Sequence, residues 1–187
     1  MPHKTSNSRL SPERSGILVI DLQERLVPAV PSGDHVVEMT EVLLEAAELL
    51  EVPYAATLQY PKGLGGFVPP LDEWFPDAEE KLDFSAAVCR RDLDAWCKAG
   101  RDQILVMGLE THICVLQTVM DLIAEGCTVF VVAEAVAARG GLEHETAIEQ
   151  MRSLGAVITT VESVLFQWLG SASHPQFKAI SRIVKEL

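Results

Sequence analysis

Three side chains of reactive types lie at or just beyond segments whose pattern predicts strands. Asp21 ends the β-branched run ILVID, Lys81 lies in a short segment over residues 79–84, and Cys114 follows the apolar run QILVMG. Ligands of open parallel sheets bind where the strands reach their carboxyl ends. A carboxylate, an ammonium and a thiol gathered there supply an acid–base group and a nucleophile. Asp21, Lys81 and Cys114 are therefore candidate functional residues.

Cys114 has the placement of an activated nucleophile if Thr111 caps the helix predicted over residues 111–125. The thiol then lies in the first helical turn, where unpaired backbone N–H groups and the helix dipole favour a thiolate. A neighbouring ammonium lowers the cysteine pKa further, from about 8.5 toward neutrality. The position also suits a small apolar side chain at the top of a buried helix, and the spacing alone leaves both interpretations open. The other cysteines, Cys89, Cys97 and Cys127, are predicted to pack in the core.

Asp21 and Lys81 also have two interpretations each. Asp21 either faces the ligand crevice or caps a short helix over residues 23–26, and Lys81 either enters the site or stays solvated beside the acidic residues of its segment. The five histidines lack the spacing of a metal site, so we predict no metal ion. His112, two residues before Cys114, is the rival to Asp21 as proton acceptor.

The rest of the chain alternates between patterns of strands and of helices. Strands are predicted over residues 17–21, 53–58, 79–84, 103–108, 127–133 and 156–159, and helices over residues 34–51, 88–99, 111–125, 142–154, 161–169 and 175–185. The stretch over residues 60–76, rich in Gly, Pro and aromatic residues, predicts a loop without regular structure. The alternation predicts an α/β/α sandwich with right-handed crossovers.

Composition narrows the classes of partner. The 187 residues carry a formal net charge of −12, and an acidic surface opposes nucleic acid and anionic membranes. No apolar stretch reaches the roughly 18 residues that cross a bilayer. Residues 1–14 are predicted to form a disordered tail and residues 15–187 one domain. The four cysteines lack CxxC spacing, which favours a reducing, cytoplasmic setting.

Three segments, ILVIDLQ, EKLDFSA and GLETHICVLQT, resemble the motifs of the isochorismatase-like cysteine hydrolase family. The resemblance covers residues 16–169 and is closest to the isochorismatase-domain-containing subgroup. It implies a Rossmann-like three-layer α/β/α sandwich with a six-stranded, mostly parallel sheet, usually built into homo-oligomers. The loop with Phe67, Trp74 and Phe75 suggests more apolar surface than one small domain needs to expose, and it covers either a neighbouring subunit's pocket, which would support the oligomer, or a pocket of its own chain.

The resemblance also implies a mechanism. Cys114 attacks a carbonyl carbon, Asp21 takes the thiol proton and returns it to the leaving amine, and Lys81 holds both groups in register. The backbone N–H groups of Glu110 and Cys114 form the oxyanion hole, helped by a cis peptide bond between Leu109 and Glu110. A thioester forms and water then cleaves it.

Further residues near these motifs are expected to bind substrate: Gln23, Gln59, Tyr60, Thr111 and His112. Gln59 and Tyr60 stand where nicotinamidases of the family hold zinc with an Asp and His pair, so we predict neither a metal nor another cofactor. The predicted function is hydrolysis of a small-molecule amide or related carbonyl compound. The alternative is a non-catalytic member that binds a ligand or a protein and whose Cys114 responds to oxidation.

Overall fold

The computed structural model describes residues 5–187 and contains one six-stranded sheet. Its strand order is β3-β2-β1-β4-β5-β6, and every neighbouring pair is parallel. The strands are β1 (Ser15–Ile20), β2 (Tyr54–Gln59), β3 (Glu79–Lys81), β4 (Gln103–Leu109), β5 (Thr128–Ala137) and β6 (Val157–Thr159). The order reverses between β1 and β4, which is where open sheets of this kind bind ligands.

Within residues 5–187, eight α-helices connect and cover the strands. They are α1 (Gly33–Leu50), α2 (Pro61–Leu64), α3 (Leu71–Trp74), α4 (Arg90–Lys98), α5 (Leu116–Ala124), α6 (Gly141–Ser153), α7 (Val161–Leu169) and α8 (Phe177–Glu186). The two short helices α2 and α3 lie in the stretch that was expected to lack regular structure. A single π-helical turn, Thr111–Val115, leads directly into α5. No helix among residues 5–187 is long and apolar enough to cross a membrane.

Helices pack on both faces of the sheet, which makes three layers and confirms the predicted α/β/α sandwich. Successive side chains of a strand point to opposite faces. Leu105 and Met107 of β4 therefore pack with α1, α7 and α8, whereas Ile104 and Val106 pack with α4, α5 and α6. Because both faces are covered, β1 and β4 are buried along their whole length, and most of their residues are apolar.

Cys97 is exposed, although its spacing from Cys89 and Leu93 predicts a core position, whereas Cys89 and Leu93 are buried. Positions four residues apart on an α-helix rotate by about 40° at each step, so the third member of such a row leaves the buried face. Cys127 is partly buried and packs against the core, as predicted.

The segment before β1 packs against the domain. Of the tail expected over residues 1–14, residues 1–4 lie outside the described residues. Leu10 is only 1% exposed, and the amide of Gln103 donates to the Arg9 carbonyl and accepts from the Ser11 N–H. Arg14 forms a two-nitrogen ion pair with Asp102. Residues 9–14 are thus held by the domain and do not form a tail.

The aromatic loop also packs inward. Phe67 and Phe75 are buried, and Tyr54 contacts Trp74 and Phe75 edge to face. These side chains belong to the core cluster on the α1 face of the sheet. Of the two alternatives for this loop, the structure supports the one within the chain: Phe67 and Phe75 are buried and Trp74 packs partly buried against the same cluster.

Candidate functional site

The backbone turns sharply at the carboxyl ends of three central strands. Asp21, Tyr60 and Glu110 directly follow β1, β2 and β4 and have positive φ values of 58°, 39° and 58°. This left-handed conformation costs a non-glycine residue about 1 to 2 kcal/mol and persists only where the surroundings enforce it. Strain of this kind clusters at functional sites. Here it lies at the carboxyl ends of the strands, near the point where the strand order reverses.

A buried ion pair lies at this edge. Lys81 Nζ is 2.7 Å from Asp21 Oδ2, and both side chains have no exposed surface. The other carboxylate oxygen accepts a hydrogen bond from Thr57 Oγ1 at 2.9 Å. The ammonium also donates to Gln59 Oε1 at 2.7 Å and to the Phe84 carbonyl at 3.1 Å. Buried charges persist when they are paired and fully hydrogen-bonded. Asp21 therefore does not cap a helix, and Lys81 is not solvated at the surface.

The Cys114 thiol lies against this pair. Its pKa is raised to about 12, mainly by burial and next by the negative charge of Asp21, while Lys81 opposes the shift. Burial also raises the pKa of the Asp21 carboxyl, against the opposing charge of Lys81. The lowered cysteine pKa expected from the sequence is therefore wrong, because desolvation outweighs the effect of the helix end. Burial therefore favours the neutral form of the Cys114 thiol, which lies beside the Asp21–Lys81 pair.

The π-helical turn sets the position of Cys114. Glu110, in its left-handed conformation, precedes the turn, and Thr111 does not cap it. The Thr111 hydroxyl oxygen instead lies 2.9 Å from His144 Nδ1 of α6, and burial lowers the pKa of His144. Thr118 Oγ1 donates to the Cys114 carbonyl at 2.6 Å. Isolated π-helical turns occur often at functional sites, where they shift a side chain out of α-helical register.

The Glu110 side chain is buried and binds Arg139. Nε of Arg139 is 3.0 Å from Oε1 and Nη2 is 3.4 Å from Oε2. His112 Nε2 lies 3.7 Å from the same carboxylate. Within the described chain, His112 Nδ1 is buried without a hydrogen-bond partner. Neither nitrogen of His112 makes a hydrogen bond that would prepare the ring to take a proton from Cys114.

The cis peptide bond that the resemblance implies between Leu109 and Glu110 is not present, so this expectation is wrong. The one cis bond in residues 5–187 is Pro69–Pro70, so the bond between Leu109 and Glu110 is trans. The chain turns at this point through the positive φ of Glu110 instead.

The other predicted residues divide into structural and accessible ones. Gln23 is buried, and its amide bonds the Gln59 backbone N–H and carbonyl and the Gly65 carbonyl, so both its donors are used within the protein. Gln59 uses its side chain on Lys81 and on the Leu82 carbonyl. Thr111 has no exposed surface, whereas His112 is partly exposed.

Tyr60 is the most accessible of the predicted residues, with half of its surface exposed. It lines a cavity of about 340 Å³ together with Pro61, Lys62, Glu80, Lys81 and Leu82. In residues 5–187, no three His, Cys, Asp or Glu side chains come together as a metal site requires.

Sequence reasoning missed three residues that support the site: Thr57, Arg139 and His144. Thr57 lies near the carboxyl end of β2 and Arg139 lies two residues beyond β5. The rule that ligand sites gather at the carboxyl ends of parallel strands would have identified both as candidates. His144 has no such signal, because its contact depends on how α6 packs.

The fold and the site define a doubly wound α/β protein with a thiol, a carboxylate and an ammonium at its switch point. The chain belongs to the isochorismatase family, whose model, described as Isochorismatase domain, matches residues 15–163. The resemblance stated from the motifs is thereby confirmed, and the chain has the fold of the isochorismatase-family hydrolases.

Relatives and solved structures agree with this assignment. Isochorismatase domain-containing protein 2A of Mus musculus is 37% identical over 187 residues, covering 98% of this chain and 88% of the relative. The MAR1 ribonuclease of Caenorhabditis elegans has a TM-score of 0.88 at 33% identity, covering 95% of this chain and 92% of the other. YcaC of Escherichia coli, described as an octameric hydrolase of unknown specificity, has a TM-score of 0.77 over 98% of this chain and 99% of its own. At 22% identity it shows the fold alone.

Proposed function

We propose that this protein is a cysteine hydrolase that cleaves a small amide or related carbonyl compound through a thioester on Cys114. The observation that carries the proposal is the fully buried Asp21–Lys81 pair against the neutral Cys114 thiol. A carboxylate whose pKa is raised by burial is a stronger base than a solvated one, and it lies beside the proton that it must accept. Residues 15–187 form the proposed hydrolase domain.

In the first half of the reaction, Cys114 Sγ bonds to the carbonyl carbon while its proton passes to Asp21. The carbonyl oxygen becomes a tetrahedral oxyanion. Collapse of this intermediate breaks the bond to the amine, which leaves with the proton from Asp21, and the acyl group stays on sulfur. Lys81 orients the carboxylate at 2.7 Å and offsets the negative charge that develops on sulfur.

In the second half, water attacks the thioester. Asp21 accepts a proton from the water as its oxygen bonds to the acyl carbon, and the second tetrahedral intermediate expels the Cys114 sulfur, which regains the proton. The product is the carboxylic acid. In both halves the backbone N–H groups of Glu110 and Cys114 are the proposed donors to the oxyanion, and Tyr60 and His112 are the proposed contacts for the rest of the substrate.

The experiment uses 4-nitrophenyl acetate, an activated ester. We expect a first turnover that releases 4-nitrophenolate and adds one acetyl group to the intact protein, located on Cys114 by peptide mapping. Cys114→Ala should show neither signal, and Cys127→Ala, a matched change at a partly buried cysteine, should keep both. Wild-type protein that is not acylated on Cys114 would refute the proposal. A library of small primary amides, read by the same mass shift, then identifies the preferred substrate.

The alternative of a non-catalytic, oxidation-sensitive thiol has less support. Peroxides react with the thiolate, and redox-sensor cysteines are accessible and have a low pKa. Cys114 is 5% exposed, and its pKa is raised to about 12. A neutral buried thiol beside a base suits attack on a bound carbonyl group better than reaction with a diffusing oxidant.

We also propose a homo-oligomer. Large apolar side chains remain exposed near the site and on α6: Tyr60, Leu82, Phe84, Val88 and Leu142. The octameric neighbour supports assembly for this fold. Light scattering that gives a 20.5 kDa monomer at micromolar concentration would contradict this proposal and leave the proposed chemistry intact.

The four free cysteines favour a reducing, cytoplasmic setting.

RNA is not a proposed substrate, although one structural neighbour is named a ribonuclease. The net charge of −12 opposes a polyanion. A labelled single-stranded RNA should therefore stay intact on incubation, with pancreatic ribonuclease as the positive control. Cleavage that disappears in Cys114→Ala would overturn this part of the proposal.

A further inference from the structure

Two side chains from the corner between β5 and α6 hold the residues that precede Cys114. Arg139 binds the Glu110 carboxylate through two nitrogen atoms, at 3.0 Å and 3.4 Å. His144 Nδ1, in the first turn of α6, lies 2.9 Å from Thr111 Oγ1. Glu110, which precedes the π-helical turn, and Thr111, its first residue, are thus each held by a side chain outside the turn, across 29 and 33 positions of sequence.

The contact with Arg139 coincides with backbone strain. Glu110 has a φ of 58°, a conformation that a non-glycine residue keeps only under constraint. Its carboxylate side chain is 6% exposed, whereas the Arg139 side chain is 61% exposed. A buried carboxylate that loses its partner is destabilised until it reaches water. Because the Glu110 carboxylate is almost fully buried on a strained backbone, we expect its movement toward water to rotate the Glu110 backbone and so to move the adjacent N–H.

We propose that Arg139 is a positioning residue of this hydrolase: through Glu110, it holds the backbone N–H that stabilises the oxyanion. His144 supports the same turn through Thr111. The inference rests on the proposed function, because the oxyanion forms only if Cys114 attacks a carbonyl carbon.

Two reactions of the same thiol separate this role from a general structural one. Acylation by 4-nitrophenyl acetate passes through a tetrahedral oxyanion and needs the N–H donors. Alkylation by iodoacetamide displaces iodide from a saturated carbon, forms no oxyanion and needs only the sulfur. Loss of Arg139 should therefore slow acylation of Cys114 and leave its alkylation unchanged. Removal of an oxyanion donor costs roughly 10²- to 10³-fold, and displacement by about 1 Å costs up to roughly 10²-fold, so we expect a fall of about ten- to a hundredfold.

The test compares Arg139→Gln, Arg139→Lys and a control, Arg152→Gln, at an exposed arginine of α6. Each variant is measured for first-turnover release of 4-nitrophenolate, for iodoacetamide labelling of Cys114 by peptide mapping and for its thermal midpoint. The Glu110→Gln background removes the charge that Arg139 binds. If the ion pair carries the effect, Arg139→Gln changes acylation little in that background, as a double-mutant cycle would show.

The expected result is slower acylation with unchanged alkylation in Arg139→Gln, a smaller effect in Arg139→Lys, and wild-type values in Arg152→Gln. Acylation of Arg139→Gln within twofold of wild type, or an equal fall in acylation and alkylation, would overturn the inference. If Arg139→Gln does not fold, Arg139→Lys decides by the same ratio, because it keeps the charge and loses the two-nitrogen contact. Wild-type protein that is alkylated but never acylated on Cys114 would refute the proposed function itself.

Discussion

Replacing Asp21 by asparagine tests the proposed proton acceptor with little change of shape. The asparagine oxygen can accept from Lys81, and its amide can donate to the Thr57 hydroxyl, which is free to turn and accept. The ammonium also keeps Gln59 Oε1 and the Phe84 carbonyl as acceptors. The ammonium keeps these acceptors but loses its counter-charge, so we expect a folded protein whose free energy of unfolding falls by up to roughly 3–5 kcal/mol.

The effect on rate should be much larger. The Cys114 pKa is raised to about 12, so burial keeps the thiol in its neutral form at neutral pH unless a base accepts its proton. General acid–base assistance is worth about 10²- to 10⁴-fold, or roughly 2.7–5.4 kcal/mol, and we expect Asp21→Asn to lose the upper part of that range. The pH profile supplies a second signature. Asp21 acts as a base only when deprotonated, so the wild-type rate is lost as pH falls through its raised pKa, and the variant lacks this limb.

The assay is first-turnover acylation by 4-nitrophenyl acetate from pH 4 to 9, with circular dichroism and urea unfolding on the same samples. Asp102→Asn is the matched control, because it removes a carboxylate that is about half exposed and pairs with Arg14. The reasoning is refuted if Asp21→Asn acylates within tenfold of wild type while His112→Ala abolishes acylation. That outcome would assign the proton to the imidazole.

Thr57→Val keeps the shape but removes the hydroxyl that donates to the Asp21 carboxylate. The pKa of Asp21 should then rise further, and the acidic limb of the pH–rate profile should move to higher pH. Gly108→Ala should unfold at a much lower urea concentration than Gly66→Ala. At position 108 the added Cβ would lie 2.1 Å from a carbonyl oxygen of β1, whereas at position 66 it would lie in open space. Iodoacetamide at neutral pH should label exposed Cys97 before Cys114 in a peptide map; faster labelling of Cys114 would mean that its thiol is ionised at rest.

Elements whose pattern reflects burial were predictable from the sequence. The apolar run over residues 103–108 predicts β4, which spans Gln103–Leu109, and helical spacing over residues 34–51 predicts α1, which spans Gly33–Leu50. In both cases the period of the apolar residues depends only on which faces the sheet and helix layers cover. The gathering of Asp21, Lys81 and Cys114 at one edge follows from parallel strands that end together.

Features that depend on contacts between distant segments were not predictable. The pKa of Cys114 is decided by burial and by Asp21, whereas the sequence shows only a thiol near a helix start. Thr111 has the residue type of a cap, but packing of α6 brings His144 to its hydroxyl. The helices α2 and α3 have four residues each, too few to form without support. Arg25 donates to the Gly63 and Leu64 carbonyls of α2, and Leu71 and Trp74 of α3 pack with the core, so contacts with distant segments support both helices.

The edge strand β3 has three residues and one neighbour, β2, so by its length it should open readily and exchange its amide hydrogens fast. Its last residue, however, sends the Lys81 ammonium into the pair with Asp21. Each opening of β3 must therefore pull the Lys81 charge out of the interior and leave the Asp21 carboxylate there without its partner, which raises the free energy of opening. Amide exchange in β3 should be about as slow as in β2, and Asp21→Asn should release the edge strand selectively. The ion pair that serves the proposed chemistry thus also holds the edge strand β3 to the central strand β1.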